Sequence, residues 1–290
     1  MSLLNRAGAD TRPRRLRPAA VAGSWYPGTA AALIGEVDRL LAGAAEKSTP
    51  LSGDPVAVIV PHAGLKYSGP VAACAYELLR GRAFDLAVLV GPSHFVGFEG
   101  VAVYRSGAFE TPMGIVPVDE DAAEALMRST SIVREHDAAH AREHSLEMQL
   151  PFIQRLNPNM PILPLVMGRQ TGATARALAE GLSIALRDRH ALLVASSDLS
   201  HYQPAHVAAR MDGVVLDAVS RFDADRLQAA LDANVGHACG GGPIVSVMRA
   251  ARHLGATGAR TVQYADSGDV SGDKTAVVGY MGAVIGRFLT

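Results

Sequence analysis

The chain is poor in cysteine, with only Cys74 and Cys239 in 290 residues. Two thiols cannot staple a domain of this size, so individual thiols in a reducing compartment are expected rather than a disulfide framework. An excess of either charge is also missing: the formal net charge is −1. That argues against nucleic acid or an anionic membrane as the main partner, since both need a basic surface. No apolar run approaches the length of a spanning helix, so no membrane segment is expected. The opening stretch "MSLLNRAGADTRPRRLRP" has scattered arginines but no continuous apolar core. It does not read as a secretory signal, which points to the cytoplasm, and residues 1–16 are expected to form a solvated basic arm. Internal repeats, low-complexity tracts and long Pro/Gly/Ser linkers are absent as well. One large domain over residues 17–290 is the expectation.

Apolar residues make up 49% of the chain and charged residues 19%, enough to bury a sizeable core. Continuous Val/Ile/Leu runs at Val56–Val60, Leu86–Val90, Ile162–Met167 and Ala191–Ala195 predict strands buried on both faces. Helical spacing separates them. One helix is expected over Thr29–Leu41, with Thr29 as cap, and others in "GPVAACAYELLRG" and "TARALAEGLSIALRDR". "GVAVYRSGAFETPMGIVPVD" predicts a β-excursion, and "TAVVGYMGAVIG" a late strand at the edge or antiparallel. The fold class is α/β: a single αβα domain around a central, mostly parallel mixed sheet.

The first two strands each end in a histidine. "VAVIVPHAG" puts His62 just past its run, and "LAVLVGPSHF" does the same for His94. Side chains beyond parallel strands gather at the carboxyl edge of the sheet, where open α/β folds bind ligands. Were the two strands neighbours, their backbones at this edge would lie about 5–10 Å apart, close enough for two imidazoles to meet one metal ion. A third strand runs into "SSDLSHY", adding Asp198 and His201. Cys239 precedes three glycines and a helix in "CGGGPIVSVMRAARHL". A helix N-terminus there would favour the thiolate, and Gly240 and Gly241 would let backbone N–H groups approach a ligand. In "REHDAAHAREHSLEMQLP", His136 and His140 are expected on a solvated face. Trp25 and Tyr26 in "AGSWYPG" can serve either the core or a pocket wall.

"AGSWYPG", "PHAGLKYSG", "GPSHF", "TPMG", "EHSLEMQLPF", "SSDLSHY", "CGGGPI" and "QYADSGD" occur in this order from about Arg17 onward. Together they resemble the Memo family, which includes the AmmeMemoRadiSam system protein B members. The resemblance implies a fold similar to the LigB-type subunit of class III extradiol dioxygenases. It further implies metal-site positions at His62, His94 and Cys239, an acid–base histidine at His201 beside Asp198, and His144 in the pocket wall. The dioxygenases use two histidines and a carboxylate; Cys239 stands where that carboxylate would be. Gln149 and Phe95 occupy positions where some relatives carry further histidines.

The leading expectation is a protein holding one transition metal on His62, His94 and Cys239. Fe(II) is favoured, with Cu(I) or Zn(II) as alternatives, and the chemistry would be redox-linked on a small molecule. His201 would act as acid–base and Asp198 would tune it. One alternative is a metal-independent hydrolase or transferase with Cys239 as nucleophile, His201 as base, Asp198 as orienter and the Gly240–Gly242 amides as oxyanion hole. Another is a non-catalytic protein binding a peptide or a partner, with radical SAM and AMMECR-type proteins implied by the resemblance.

Overall fold

The computed structural model describes residues 15–234 and 237–288. Its strands are β1 (Leu16–Arg17), β2 (Gly53–Val60), β3 (Leu86–Pro92), β4 (Val101–Val103), β5 (Ala108–Thr111), β6 (Gly114–Pro117), β7 (Val133–Glu135), β8 (Ile162–Met167), β9 (Ala191–Ser196), β10 (His201–Gln203), β11 (Gly258–Asp266) and β12 (Val277–Phe288). The helices are α1 (Ala30–Ala45), α2 (Leu65–Glu77), α3 (Glu120–Ser129), α4 (Asp137–Ala141), α5 (Leu150–Leu156), α6 (Gly172–Ala185), α7 (Ala205–Ser220), α8 (Ala224–Asp232), α9 (Gly241–His253) and α10 (Gly268–Ser271). The expected arm at residues 1–16 lies outside the described residues except for Arg15 and Leu16, and Leu16 already belongs to β1.

Nine strands form the central sheet in the order β10-β12-β2-β9-β3-β8-β4-β7, with β11 also paired to β12. The middle four, β2, β9, β3 and β8, are mutually parallel, while β12 and β4 run antiparallel to them on either side. The late strand β12 is antiparallel as expected, but it is interior rather than an edge. The expected β-excursion splits: β4 joins the main sheet, whereas β5 and β6 form a small separate sheet with β1.

Alternation along the parallel strands assigns their side chains to two cores. Ile59, Val88, Val90, Leu193 and Ala195 pack with α3, α6, α7, α8 and α9 on one face. Val58, Val60, Leu89, Leu192 and Val194 pack with α1, α2 and α5 on the other. That is the αβα sandwich, and it explains why these runs show no polar residues: neither face meets water. In α1, Leu33, Val37, Leu40 and Leu41 form the buried stripe, although the Thr29 side chain, expected as cap, makes no capping hydrogen bond.

Candidate metal centre

One expectation about the site fails in its premise. The strands leading to His62 and His94 are not neighbours, because β9 lies between them. The two histidines nevertheless face each other across the tip of β9, with ring centroids 5.2 Å apart. Two inter-strand steps of about 4.8 Å separate the backbones, and each imidazole reaches halfway. His144 completes the group. Its ring lies 4.5 Å from His94 and 5.6 Å from His62, and one ring nitrogen from each of the three falls within 4.8 Å of the others.

Hydrogen bonds fix the tautomers of two of these rings. The Ser196 hydroxyl donates to the Ser145 carbonyl at 2.7 Å. Its lone pairs therefore accept from Gln149 Nε2 at 2.8 Å and from His62 Nδ1–H at 2.9 Å. That leaves the His62 Nε2 lone pair directed into the site. His94 donates Nδ1–H to Glu143 Oε1 at 2.8 Å and its backbone N–H to Glu143 Oε2 at 2.7 Å. Its Nε2 is likewise unprotonated in the neutral ring. A histidine whose distal nitrogen is held by a carboxylate or hydroxyl is the usual form of a metal ligand.

Burial disfavours protonation here. His62 is held down to about 3, by burial first and by neighbouring His94 second, and burial holds His144 at about 4. Burial alone would raise Glu143, but the hydrogen bonds from His94 and the Ser145 N–H outweigh it and hold the carboxyl at about 2. Neutral imidazoles backed by an ionised carboxylate are the donor set a cation needs, so the residues present fit a transition-metal ion.

Cys239 lies on the same Nε2 side of His62, its thiol donating to Nε2 at 3.2 Å and its Sγ accepting the Asp198 N–H at 3.2 Å. The expected thiolate is not favoured by these surroundings: burial pushes the thiol up, and nearby Asp198 adds to it. Asp198 is itself buried and raised by that burial. Its Oδ1 accepts the backbone N–H groups of His62 and Ala63 at 2.8 and 3.3 Å, so its hydrogen bonds orient the metal-site loop rather than His201. The His201 ring donates Nδ1–H to the Leu199 carbonyl at 2.9 Å and stands outside the three-histidine group.

The glycines have a different task from the one expected. Gly240 N–H donates to Ser197 Oγ, Gly241 N–H to the Ala238 carbonyl and Gly242 N–H to Gln170 Oε1. No oxyanion hole is left among these amides. A Cβ on Gly240 would lie 2.4 Å from the Ser196 carbonyl oxygen, so this glycine lets the loop close on the tip of β9. Gly91 serves the loop carrying Glu143 in the same way, since a Cβ there would meet Ser145 Oγ at 2.6 Å.

Trp25 and Tyr26 part ways. Trp25 stacks obliquely on His144 at 4.3 Å, and its carbonyl accepts the Leu65 N–H that opens α2. Phe95 flanks the same ring at 5.9 Å. Tyr26 is a core residue instead, buried with its hydroxyl donating to Glu147 Oε1 at 2.5 Å. Glu147 also accepts the Ala20 and Val21 N–H groups and pairs with buried Arg17, which donates in turn to the His140 and Glu143 carbonyls. Residues 17–26 thus strap the loop that presents Glu143 and His144. His140, expected on a solvated face, is 1% exposed and wedged near Tyr104 and Phe109. His136 is half-buried, its ring edge-on to Phe98 at 5.1 Å, rather than fully solvated. Sequence reading missed Glu143, although it adjoins His144, because an acidic residue in an acidic and basic stretch carries no local sign of burial.

The fold and site together define a class: a single αβα domain of the Memo/LigB-like kind, with a histidine group beyond the carboxyl ends of its parallel strands. The family model for Memo-like protein matches residues 17–284, and the chain belongs to that family. A MEMO1 family protein of Methanothermobacter thermautotrophicus is 39% identical over 226 residues, 77% of this chain and 82% of that protein. One of Pyrobaculum arsenaticum is 37% identical over 283 residues, 94% of this chain and all of its own length. Among solved structures, the uncharacterized protein JW3007 from Escherichia coli K12 aligns with a TM-score of 0.53 and 16% identity, covering 79% of this chain and 99% of that one. That likeness concerns the fold alone. Among the described residues, no helix is long and apolar enough to cross a membrane.

Proposed function

We propose that the protein binds one transition-metal ion between His62, His94 and His144, with Cys239 as a further donor on the His62 side, and uses it in redox-linked chemistry on a small molecule. The observation that carries this reading is the meeting of three ring nitrogens within 4.8 Å while Ser196 and Glu143 hold the opposite nitrogens of two of the rings. Imidazole donors suit Fe(II), copper and zinc; the family's resemblance to iron-dependent dioxygenases makes Fe(II) the ion we favour, and the softer Cys239 sulfur keeps Cu(I) and Zn(II) as alternatives. When bound, such an ion supplies Lewis acidity and, for iron or copper, electron transfer. The chain itself supplies the rest. Trp25 and Phe95 wall the histidine side, Glu143 balances the ion's charge, and His201, its Nδ1–H held by the Leu199 carbonyl, offers Nε2 to take a proton from a bound molecule.

Elemental analysis of anaerobically purified protein, prepared without chelator, tests this. Near-stoichiometric metal is expected in the wild type and its loss in His62→Ala/His94→Ala. Single His144→Ala and Cys239→Ala variants separate the donors, and wild-type protein that neither carries nor takes up metal overturns the reading. The metal-independent hydrolase reading loses its oxyanion hole to the occupied glycine amides. Partnership with radical SAM and AMMECR-type proteins remains a proposal from the family resemblance, to be tested by co-purification.

A further inference from the structure

At the end of the sheet opposite the histidines lies an open pocket of about 540 Å³, within the range of ~300–1,000 Å³ usual for small-molecule sites. Its floor is the start of two central strands, Pro55 and Val56 of β2 and Ala191 of β9, together with Leu186 and Leu254 at the ends of α6 and α9. Val56 stands six residues before His62 on an extended strand, so the two sites are about 20 Å apart. Three guanidiniums, Arg187, Arg189 and Arg287, and two imidazoles, His190 and His253, line the same pocket, and no carboxylate is among the lining residues.

Two ordinary explanations account for only part of this charge. Arg189 gives one amino group to Asp119 at 2.6 Å. Arg287 gives one to the Leu254 carbonyl at 2.8 Å, the usual use of a cation at a helix C-terminus. Asp85 accepts the His190 backbone N–H, but neither it nor Asp119 reaches the pocket lining. Each guanidinium has five N–H donors, so most of the donors around this pocket are not used by those contacts. Arg187 is exposed at the rim. In a chain whose net charge is −1, three arginines around one carboxylate-free pocket form a local exception.

We propose that this pocket binds a phosphorylated small molecule. Planar guanidinium forks match the oxygens of a phosphate group. The apolar floor of Val56, Leu186 and Leu254 offers a surface for the body that carries the phosphate. The site is separate from the metal centre and does not rest on it.

Calorimetric titration with ADP and with inorganic pyrophosphate, at about 50 mM salt where charge contacts are weakly screened, tests the proposal. It is run on the wild type, on Arg187→Glu/Arg287→Gln and on His62→Ala/His94→Ala. One saturable site is expected in the wild type and in the histidine variant, weakened by about tenfold or more in the arginine variant, since two charge-assisted contacts are lost. Arg187→Glu alone, at an exposed position, gives a weakening in the same direction even if the double variant folds poorly. The proposal is overturned if no saturable binding occurs, if the arginine variants bind as the wild type does, or if binding disappears with His62 and His94, which would place the anion at the metal centre.

Discussion

The two strand-tip histidines are held in opposite ways. His62 is 1% exposed and leans on neutral groups: Ser196, itself held by Gln149 and the Ser145 carbonyl. His94 has a side chain 29% exposed and leans on an ionised carboxylate, Glu143, which the loop over β3 presents. One corner is made rigid by the core of the sheet. The other is made electronegative by a loop that residues 17–26 strap in place. A metal centre built this way takes its geometry from the first corner and its charge balance from the second.

The largest effect should come from breaking the strap. Arg17 and Glu147 are both fully buried, so Glu147→Ala leaves a guanidinium without its counter-ion and three donors without an acceptor. A loss of about 3–5 kcal/mol is expected, read as a lowered denaturation midpoint. Metal uptake should weaken too, because the His94 corner loosens. Unchanged metal affinity in a destabilised protein would show that the strap only stabilises the fold.

Next comes the contrast between the corners themselves. Glu143→Gln keeps the shape but removes the charge behind His94, and a loss of about 10–100-fold in metal affinity is expected. Ser196→Ala removes only a neutral acceptor from His62 and should cost affinity less than Glu143→Gln does. Its main effect is on folding, about 1–3 kcal/mol, since a buried amide and imidazole lose their partner. If the two variants lose equal affinity, the division of labour is wrong.

These corners were unequally visible in the sequence. Uniform Val/Ile/Leu runs announce strands buried on both faces, and a histidine after each run announces the carboxyl edge. The order of strands is not a local property: nothing in residues 56–94 reveals that β9, starting at Ala191, inserts between β2 and β3. The roles of Gly240, His140 and Tyr26 were hidden for the same reason. Each is set by a partner far along the chain: Ser196 for Gly240, Ala102 and Phe109 for His140, Glu147 for Tyr26. Gly-Gly-Gly before a helix looks like a ligand cradle until Ser197, Ala238 and Gln170 take up its amides.

Acid should act on the buried side of the comparison. His62 and His140 take up a proton only near 3 and His144 only near 4, burial being the leading cause for all three. Unfolded histidines do so near 6.5, so between these values the unfolded chain binds more protons. The metal-free protein should keep its full stability above about pH 6.5 and lose about 1.4 kcal/mol per pH unit for each such histidine below it. Urea titrations from pH 7 to 5 read the slope directly. His140 lies outside the metal group, with Nε2–H donating to the Ala102 carbonyl at 3.2 Å, so His140→Gln should make the slope shallower without touching metal content. An unchanged slope would mean that His140 opens to water as the pH falls.

The smallest effect isolates the core side of the His62 corner. Tyr76, fully buried and stacked on Phe152, donates its hydroxyl to Gln149 Oε1 at 3.1 Å, three links away from the imidazole. Tyr76→Phe keeps the ring and removes that one donor, so a cost of about 1 kcal/mol is expected. Gln149 keeps its own donations to Ser196 and the Pro61 carbonyl. Ser196 should therefore stay in place, and metal affinity with it. A measurable loss of affinity from this single hydroxyl would show that the His62 corner draws its rigidity from the hydrogen-bond chain rather than from the packing around β9, and would make the two corners more alike than their burial suggests.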